Sequence, residues 1–501
     1  MIGFSAREYQ KNILQTALSK NTLVVLPTGL GKTLIALMLS EQRLKQFSDS
    51  KVLFLAPTKP LAEQHLNYFK KNLSGFSYEI FTGKINSKKR KQLWDSAQII
   101  FSTPQCILND LKNNLYSLKK VSLLVEDECH RCLKNYAYTL IANNYLNNSE
   151  FPRILGMTAS PGSEEEKIKK ICENLSISAI EIRNRESPDV KNYLQKLEIE
   201  TIKVSLPPEF ERIRDLIKSL YNKKIDELKS RNLLFGPANK KNLLDLQTKL
   251  IKIISSGNKH FNILRGMMLT SQAIKIQHAI ELIETQTIHT FYSYIQKLFK
   301  NKTRSGSEIT KSQEFNQAYI KTIEILKKEH PKLSKLKEIV SELVKTNSKV
   351  LIFAQYRSTV EEINKKLKEI GINSEIFIGQ AKKEGKGLKQ EQQKEIIKKF
   401  ANNEILCLVS TSIGEEGLDI PEVSTVIFYE PIPSEIRKIQ RQGRTARLKP
   451  GKVITLITEK TRDETYYWTS IYKEKKMHKI LKNINESLKD NQSQKQINDF
   501  K

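Results

Sequence analysis

The sequence predicts an α/β fold class: two parallel-sheet domains with an all-helical insertion domain between them. Three observations predict it. Residues 1 to about 203 alternate short apolar runs with amphipathic stretches. From Leu206 to about His330 no strand-like run occurs, and apolar residues such as Phe210, Ile213, Leu216, Ile217 and Leu220 recur at helical spacing. From about Pro331 the α/β alternation resumes and continues to about residue 475. The expected divisions are therefore 1–203, 204–330, 331–475 and a helical, then polar tail at 476–501.

Each element follows from its pattern. The first half carries strand candidates at Thr22–Leu26, Val52–Ala56, Gln98–Ser102, Ser122–Val125 and Ile154–Thr158. They are short, continuous and rich in Leu and β-branched residues, which suits strands buried on both faces of a parallel sheet. Amphipathic stretches such as Thr33–Lys45 lie between them as helices. The second half offers Val350–Ala354, Glu375–Ile378, Leu406–Ser410, Thr425–Tyr429 and Val453–Ile457. The tail from Asp490 to Lys501 is expected to fray. The helical block holds 22 Lys+Arg against 12 Asp+Glu, with an expected exposed basic loop at Asn301–Ser307.

Charge and cysteine usage narrow the class. There are 84 Lys+Arg against 55 Asp+Glu, a formal net charge of +29, which favours polyanionic partners, nucleic acid first. The same surplus also fits a solvated Lys-rich surface. Five cysteines in a chain this long do not make a disulfide framework, and a reducing, cytoplasmic setting is expected. Cys129 and Cys132 form a C-x-x-C, but no second pair stands at zinc spacing. No secretory leader and no membrane-spanning run are read in the sequence, so no membrane partner is expected.

Three motifs carry chemistry. Pro27-Thr28-Gly29-Leu30-Gly31-Lys32-Thr33 follows an apolar run and opens a helix, the context of a phosphate-binding loop. Its glycines permit a tight turn whose N–H groups face phosphates. Lys32 supplies a point charge for the β- and γ-phosphates of ATP, and Thr33 a hydroxyl for Mg²⁺. Leu26 replaces the first glycine of the usual pattern. Val125-Glu126-Asp127-Glu128-Cys129-His130 places two acids at a strand end: Asp127 to hold Mg²⁺, Glu128 to orient and deprotonate water. In Gln440-Arg441-Gln442-Gly443-Arg444-Thr445-Ala446-Arg447, Arg444 and Arg447 are expected on one helical face. There they would stabilise charge on the transferred phosphate once the second α/β domain closes on the first.

Together, P-T-G-L-G-K-T, D-E-C-H and Q-x-x-G-R-x-x-R resemble helicase superfamily two. Its fold implies two RecA-like domains. Further stretches follow the family's order, and the resemblance implies their roles. Arg7 and Gln10 look like the adenine-reading element. Ala56-Pro57-Thr58-Lys59-Pro60 and Ser102-Thr103-Pro104-Gln105 look like the elements that track a nucleic-acid backbone. Thr158-Ala159-Ser160-Pro161 looks like the coupling motif, with His130 joined to it. Phe353-Ala354-Gln355-Tyr356-Arg357 resembles the fourth motif. Ser410-Thr411 through Ile420-Pro421 resembles the fifth, with Thr411 at nucleic acid and Gly417 and Asp419 at the nucleotide. Gln440 joins Glu128, Lys32, Arg444 and Arg447 among the implied catalytic residues.

A narrower resemblance is to the helicase part of archaeal Hef and the Fanconi anaemia M-type translocases. It is carried by Asn135-Tyr136-Ala137-Tyr138, Ser187-Pro188-Asp189-Val190, Leu282-Ile283-Glu284-Thr285-Gln286, Phe377-Ile378-Gly379-Gln380, Tyr429-Glu430-Pro431-Ile432-Pro433-Ser434 and Thr461-Arg462-Asp463-Glu464. It extends to about Met477 and implies ATP-driven translocation on forked or four-way DNA. Cys129, where such proteins more often have Ala, is shared with RNA-sensing relatives, so an RNA-directed motor stays open beside the DNA reading. A non-catalytic nucleic-acid scaffold is the reading of another class, and the intact motifs oppose it. No nuclease-type E-R-K-x-x-x-D stretch follows residue 477, which leaves a separate nuclease chain or a replication clamp as partners. In the insertion, Lys297, Lys300, Lys302 and Arg304 are the expected contacts to a second DNA arm; the alternative is a solvated Lys-rich turn.

Overall fold

The structure, a computed structural model, describes residues 6–257, 259–300, 303–379, 388–414 and 420–499, with the side chains of 390 and 491–499 left aside. All ten sequence-predicted strands are present, and three more join them. They are β1 (Thr22–Val25), β2 (Lys51–Leu55), β3 (Tyr78–Phe81), β4 (Ile99–Ser102), β5 (Val121–Asp127), β6 (Ile154–Thr158), β7 (Ala179–Ile182), β8 (Leu197–Val204), β9 (Val350–Phe353), β10 (Ser374–Phe377), β11 (Cys407–Ser410), β12 (Thr425–Phe428) and β13 (Gly451–Thr458).

They form two sheets, ordered β3-β4-β2-β5-β6-β1-β7 and β10-β11-β9-β12-β13-β8. Every pairing is parallel. The central strands are fully buried, so their sequences read as continuous apolar runs. β3, β7 and β8 are the edge strands that apolarity did not reveal. Each run is interrupted by at least one glutamate and is only partly buried.

β8 corrects the expected division at 203. Leu197 to Val204 pair along their length with Gly451 to Thr458 of β13, so this segment belongs to the second sheet. The chain thus crosses to the second domain before the insertion begins. The crossing is reversed at the other end. A single helix, Arg462–Asp499, leaves the second domain and lies back on the first. Met477, Ile480, Leu481 and Ile484, at helical spacing, bury in the first domain's core beside Ile168, Ile171 and Cys172. Asn485 Oδ1 accepts from Ile180 N of edge strand β7 at 3.1 Å. The expected independent tail is therefore structurally part of the first domain.

The insertion is helical as expected: Pro208–Ser230, Lys240–Ser255, Phe261–Thr285, Ile288–Lys300, Arg304–Thr310 and Gln313–Glu324. The expected loop at Asn301–Ser307 is corrected. Arg304 begins a helix whose cap is Thr303, the side chain of which accepts from Gly306 N. Lys297 and Lys300 are exposed at the end of the preceding helix, and Lys302 lies outside the described residues.

The insertion is bound to the second domain by a buried polar seam. Thr359 Oγ1 donates to Gln286 Oε1 at 2.8 Å, and Thr290 Oγ1 donates to Ser358 Oγ at 2.9 Å. Ser358 and Thr359 begin the helix Arg357–Glu369, which follows Gln355. Beside the seam, Lys332 Nζ and Asp463 Oδ2 form a buried ion pair at 2.7 Å. Glu430 accepts from Gln355 N. Burial pushes the Glu430 carboxyl up to about 7. Among the described residues, no helix is long and apolar enough to cross a membrane.

Candidate functional site

The phosphate loop begins where β1 ends. Gly29 (φ +89°) and Gly31 (φ +74°) adopt left-handed backbone, and Gly31 caps the helix Lys32–Gln46. A side chain at Gly31 would collide with Gln10. Gln10 Nε2 and the Tyr9 hydroxyl both donate to Leu30 O, at 3.3 and 2.8 Å. Gln10 Oε1 accepts from Arg7 N at 3.0 Å, while the Arg7 guanidinium lies 4.9 Å from the Tyr193 ring centre. The first helix therefore grips the loop directly, and Tyr9 and Tyr193 join Arg7 and Gln10. Sequence reasoning missed both tyrosines, because nothing local marks an aromatic that packs across the fold.

Lys32 Nζ donates to Leu26 O at 2.7 Å inside the loop, with Thr33 half-buried next to it. Burial pushes the Lys32 ammonium below its usual value, and the charges of Glu128 and Asp127 partly offset this. Those acids end β5. Glu128 turns the chain sharply with φ +52°, a left-handed conformation unusual for a glutamate. His65 Nε2 donates to Asp127 Oδ2 at 2.9 Å. Burial alone would raise the Asp127 carboxyl, but the His65 hydrogen bond and the charges of His65 and Lys32 hold it below the ordinary carboxylate value. His65 was not legible in the sequence. It lies on the helix Lys59–Asn72, which starts just after Pro57 and Thr58.

A row of close polar contacts leads away from Glu128, whose Oε2 is buried without a hydrogen-bond partner among the described residues. His130 Nδ1 stands 3.3 Å from Glu128 Oε2 and 3.1 Å from Thr158 Oγ1. Thr158 Oγ1 donates to Ser160 O at 3.0 Å, and Ser160 Oγ donates to Met477 Sδ at 3.0 Å. The row thus ends on the helix that returns from the second domain. Cys129 and Cys132 are buried free thiols beneath it.

The second domain meets the loop through its arginine motif. The helix Glu435–Gln442 stops at Gly443, and Ala446 turns with φ +55°. Arg444 and Arg447 therefore lie beyond the helix, not on one of its faces. Gly443 packs against Thr28, and a Cβ at Gly29 would stand 3.1 Å from Arg447 Cγ. Arg447 Nε donates to Gly443 O at 2.7 Å, and Glu422 Oε1 accepts from Arg447 N at 2.7 Å. Arg444 and Gln440 are buried nearby. Arg441 is fully buried and stacks 4.6 Å from the Phe353 ring centre, so it serves the core of the second domain. Gly417 and Asp419 lie outside the described residues.

The remaining motif residues gather at strand ends. In the first sheet, Thr58 follows β2 and Thr103 follows the adjacent β4; each caps a helix, with Lys59 or Pro104 as its first residue. Thr58 Oγ1 is buried with no hydrogen-bond partner among the described residues. In the second sheet, Gln355 and Arg357 follow β9 and Thr411 follows the adjacent β11. Gln355, Arg357, Gly379, Thr411, Ser412 and Ile413 line one cleft of about 290 Å³. Helix N-termini with free amides are ready phosphate sites.

Two parallel-sheet domains, a phosphate loop, a paired Asp-Glu and an arginine motif reaching it from the other domain define a helicase ATPase of superfamily two. The DEAD/DEAH box helicase family matches residues 7–168, the helicase conserved C-terminal domain residues 331–449, and a helical bundle described as that of a putative ATP-dependent RNA helicase residues 209–346. The chain belongs to the Hef-type helicases of this superfamily. It is 41% identical to the Hef helicase domain of Pyrococcus furiosus, whose crystal structure it matches with a TM-score of 0.71 over 93% of this chain and 98% of that one. Among full-length relatives, it is 41% identical over 96% of its length to "Putative ATP-dependent RNA helicase MJ1505" of Methanocaldococcus jannaschii, spanning 61% of that protein. It is 35% identical over 91% of its length to "ATP-dependent DNA helicase fml1" of Schizosaccharomyces pombe, spanning 57% of it. It is 32% identical over 92% of its length to the Fanconi anemia group M protein homolog of Mus musculus, spanning 25% of it.

Proposed function

We propose that this chain is an ATP-driven DNA translocase acting on branched DNA, forks and four-way junctions. The observation that carries the reading is the basic helical insertion, bound by buried hydrogen bonds to the helix that follows Gln355. A surface that touches a second DNA arm would then move with the domain that tracks the first. The DNA helicase names of the fission-yeast relative and of a Sclerotinia sclerotiorum relative, "ATP-dependent DNA helicase mph1", support DNA. An RNA-directed motor is the second reading, favoured by the name of the Methanocaldococcus relative and by Cys129.

In the proposed cycle, Lys32 and the loop amides hold the β- and γ-phosphates. Glu128 orients the attacking water and takes its proton. Arg444 and Arg447, with Gln440 behind them, neutralise charge that grows on the transferred phosphate. The Thr33 hydroxyl and the Asp127 carboxylate form a hard-oxygen donor pair of the kind Mg²⁺ uses. Held ionised by His65, Asp127 fits that role. Mg²⁺, when bound, would neutralise phosphate charge there. Arg7 and Gln10 read the base. Pro57, Thr58, Lys59, Thr103, Pro104, Gln355, Arg357 and Thr411 contact the backbone of the tracked strand. The relay through His130, Thr158 and Ser160 carries the state of Glu128 to the returning helix.

ATP turnover measured with single-stranded, duplex, forked and four-way DNA and RNA tests the reading. Strongest stimulation by forked or four-way DNA is expected. Strongest stimulation by duplex RNA would replace it with the second reading.

A further inference from the structure

The helix Arg462–Asp499 buries one side on the first domain and carries an unusual outer side. Trp468 and Tyr472 lie one turn apart and are 65% and 66% exposed. Lys475, Lys479 and Lys482 continue the same stripe and are exposed. The spacing of four, three, four and three residues keeps all five on one face. At 1.5 Å per residue the stripe is about 21 Å long. Lys475, Lys479 and Lys482 make no ion pair among the described residues. Glu474, the acid next to Lys475, is paired with Lys438 on the inner side. The first acid further along the stripe is Glu486.

Large aromatics are seldom left this open without a partner, and here two of them precede a row of unpaired ammonium groups. Bases present π-faces that stack on such rings at little sequence cost, and phosphates follow at lysine spacing. Lys475 of the stripe, with Ile471 and His478 of the same helix, also lines a cavity of about 420 Å³ bordered by Ile199 of edge strand β8, by Arg185, and by Thr28 and Gly443 where the two domains meet.

The geometry points to a second nucleic-acid site on this outer face, where an unpaired strand stacks bases on Trp468 and Tyr472 and lays its phosphates along Lys475, Lys479 and Lys482. The site rests on the chain being a nucleic-acid motor, not on its choice of DNA over RNA. Because the helix starts in the second domain and ends on the first, a strand held there would sense their closure.

Tryptophan fluorescence tests the site directly. The chain has two tryptophans. Trp94 is buried, 5% exposed, and stacked on Tyr116 at 3.9 Å, so Trp468 reports alone on the surface. The whole chain without nucleotide is titrated with oligothymidylate, following emission and its access to acrylamide. In parallel, ATP turnover stimulated by the same oligonucleotide is measured. Quenched emission and loss of acrylamide access are expected, both absent in Trp468→Phe. In Lys475→Ala/Lys479→Ala/Lys482→Ala, the log–log salt slope of the quench should fall by about 0.7 for each phosphate no longer neutralised. Tyr472→Ala should weaken the quench titration about tenfold. Stimulated turnover with unchanged Trp468 emission overturns this site and leaves the motor reading intact. If neither signal moves, the site falls, and turnover with forked DNA, four-way DNA and RNA decides the motor reading separately. Emission that shifts with protein concentration alone, without oligonucleotide, overturns it in favour of a contact between two copies of the chain.

Discussion

At the scale of residues, each group around the phosphate loop is held by a neighbour from a different element, which makes single substitutions informative. Lys32→Ala should abolish ATP turnover, since no other group supplies a cation inside the loop. Glu128→Gln should keep nucleotide binding but stall hydrolysis, because an amide cannot take the proton of the attacking water. Arg444→Ala and Arg447→Ala should each lower kcat far more than they weaken binding, toward the roughly 10³–10⁵-fold attributed to arginine fingers. Steady-state turnover beside nucleotide-binding titration separates these outcomes, and near-normal kcat in any of the four would remove the assigned role. His65→Ala makes a pH prediction. Burial raises the Asp127 carboxyl, while His65 and Lys32 pull it down. Without His65 that carboxyl must rise, so less of it is ionised at a given pH. The acid limb of the kcat profile should therefore move to higher pH, and an unmoved limb would detach Asp127 from the rate.

At the scale of elements, the seam between the insertion and the helix Arg357–Glu369 decides whether substrate shape is felt by the motor. Gln286→Leu removes the 2.8 Å acceptor of Thr359 Oγ1 and leaves that hydroxyl only Thr290 Oγ1 at 3.1 Å, a loss of about 0.5–1.5 kcal/mol. Stimulation of ATP turnover by forked DNA should drop well below that by single-stranded DNA. An equal drop for both would mean the seam is only structural. The insertion's own surface can be tested separately. Changing Lys297, Lys300, Lys302 and Arg304 to Ala should flatten the salt dependence of fork binding by roughly 0.9 in log–log slope for each phosphate these side chains neutralise. The geometry of this segment is a helix end followed by a capped helix start, which fixes Arg304 more firmly than a loop would. Unchanged slopes would return these four residues to a solvated surface role.

At the scale of the whole molecule, the two sheets are tied twice, by β8 crossing early and by the Arg462–Asp499 helix crossing back. The second tie is a buried apolar contact. Leu481 is 0% exposed in the first domain's core, so Leu481→Ala should cost about 2–5 kcal/mol. Denaturant unfolding should show that destabilisation. If Ser160 and Met477 join the Glu128 relay to this helix, the same variant should also lower nucleic-acid-stimulated turnover more than basal turnover. A lower stability with an unaltered ratio would confine the helix to a structural role.

The sequence by itself determined the nine inner strands and the edge strand β10, the helical insertion, the phosphate loop and the acidic pair. These are encoded locally: strands buried on both faces must be continuously apolar, and a loop that wraps phosphate needs its glycines in order. Only the tertiary structure decided where β8 belongs, because an edge strand open to solvent carries polar residues, here Glu198, Glu200 and Lys203, that break the apolar run. It also decided that the last helix closes over the first domain, since a stripe of Met477, Ile480, Leu481 and Ile484 shows that a face is buried but not against what. Long-range partners were equally hidden. His65 meets Asp127, and Tyr9 meets Leu30, across chain separations that no local pattern records. Arg444 and Arg447 were legible as residues but misplaced as geometry. A helix is the default reading of their spacing, and the turn at Gly443, packed against Thr28, ends it where the two domains meet.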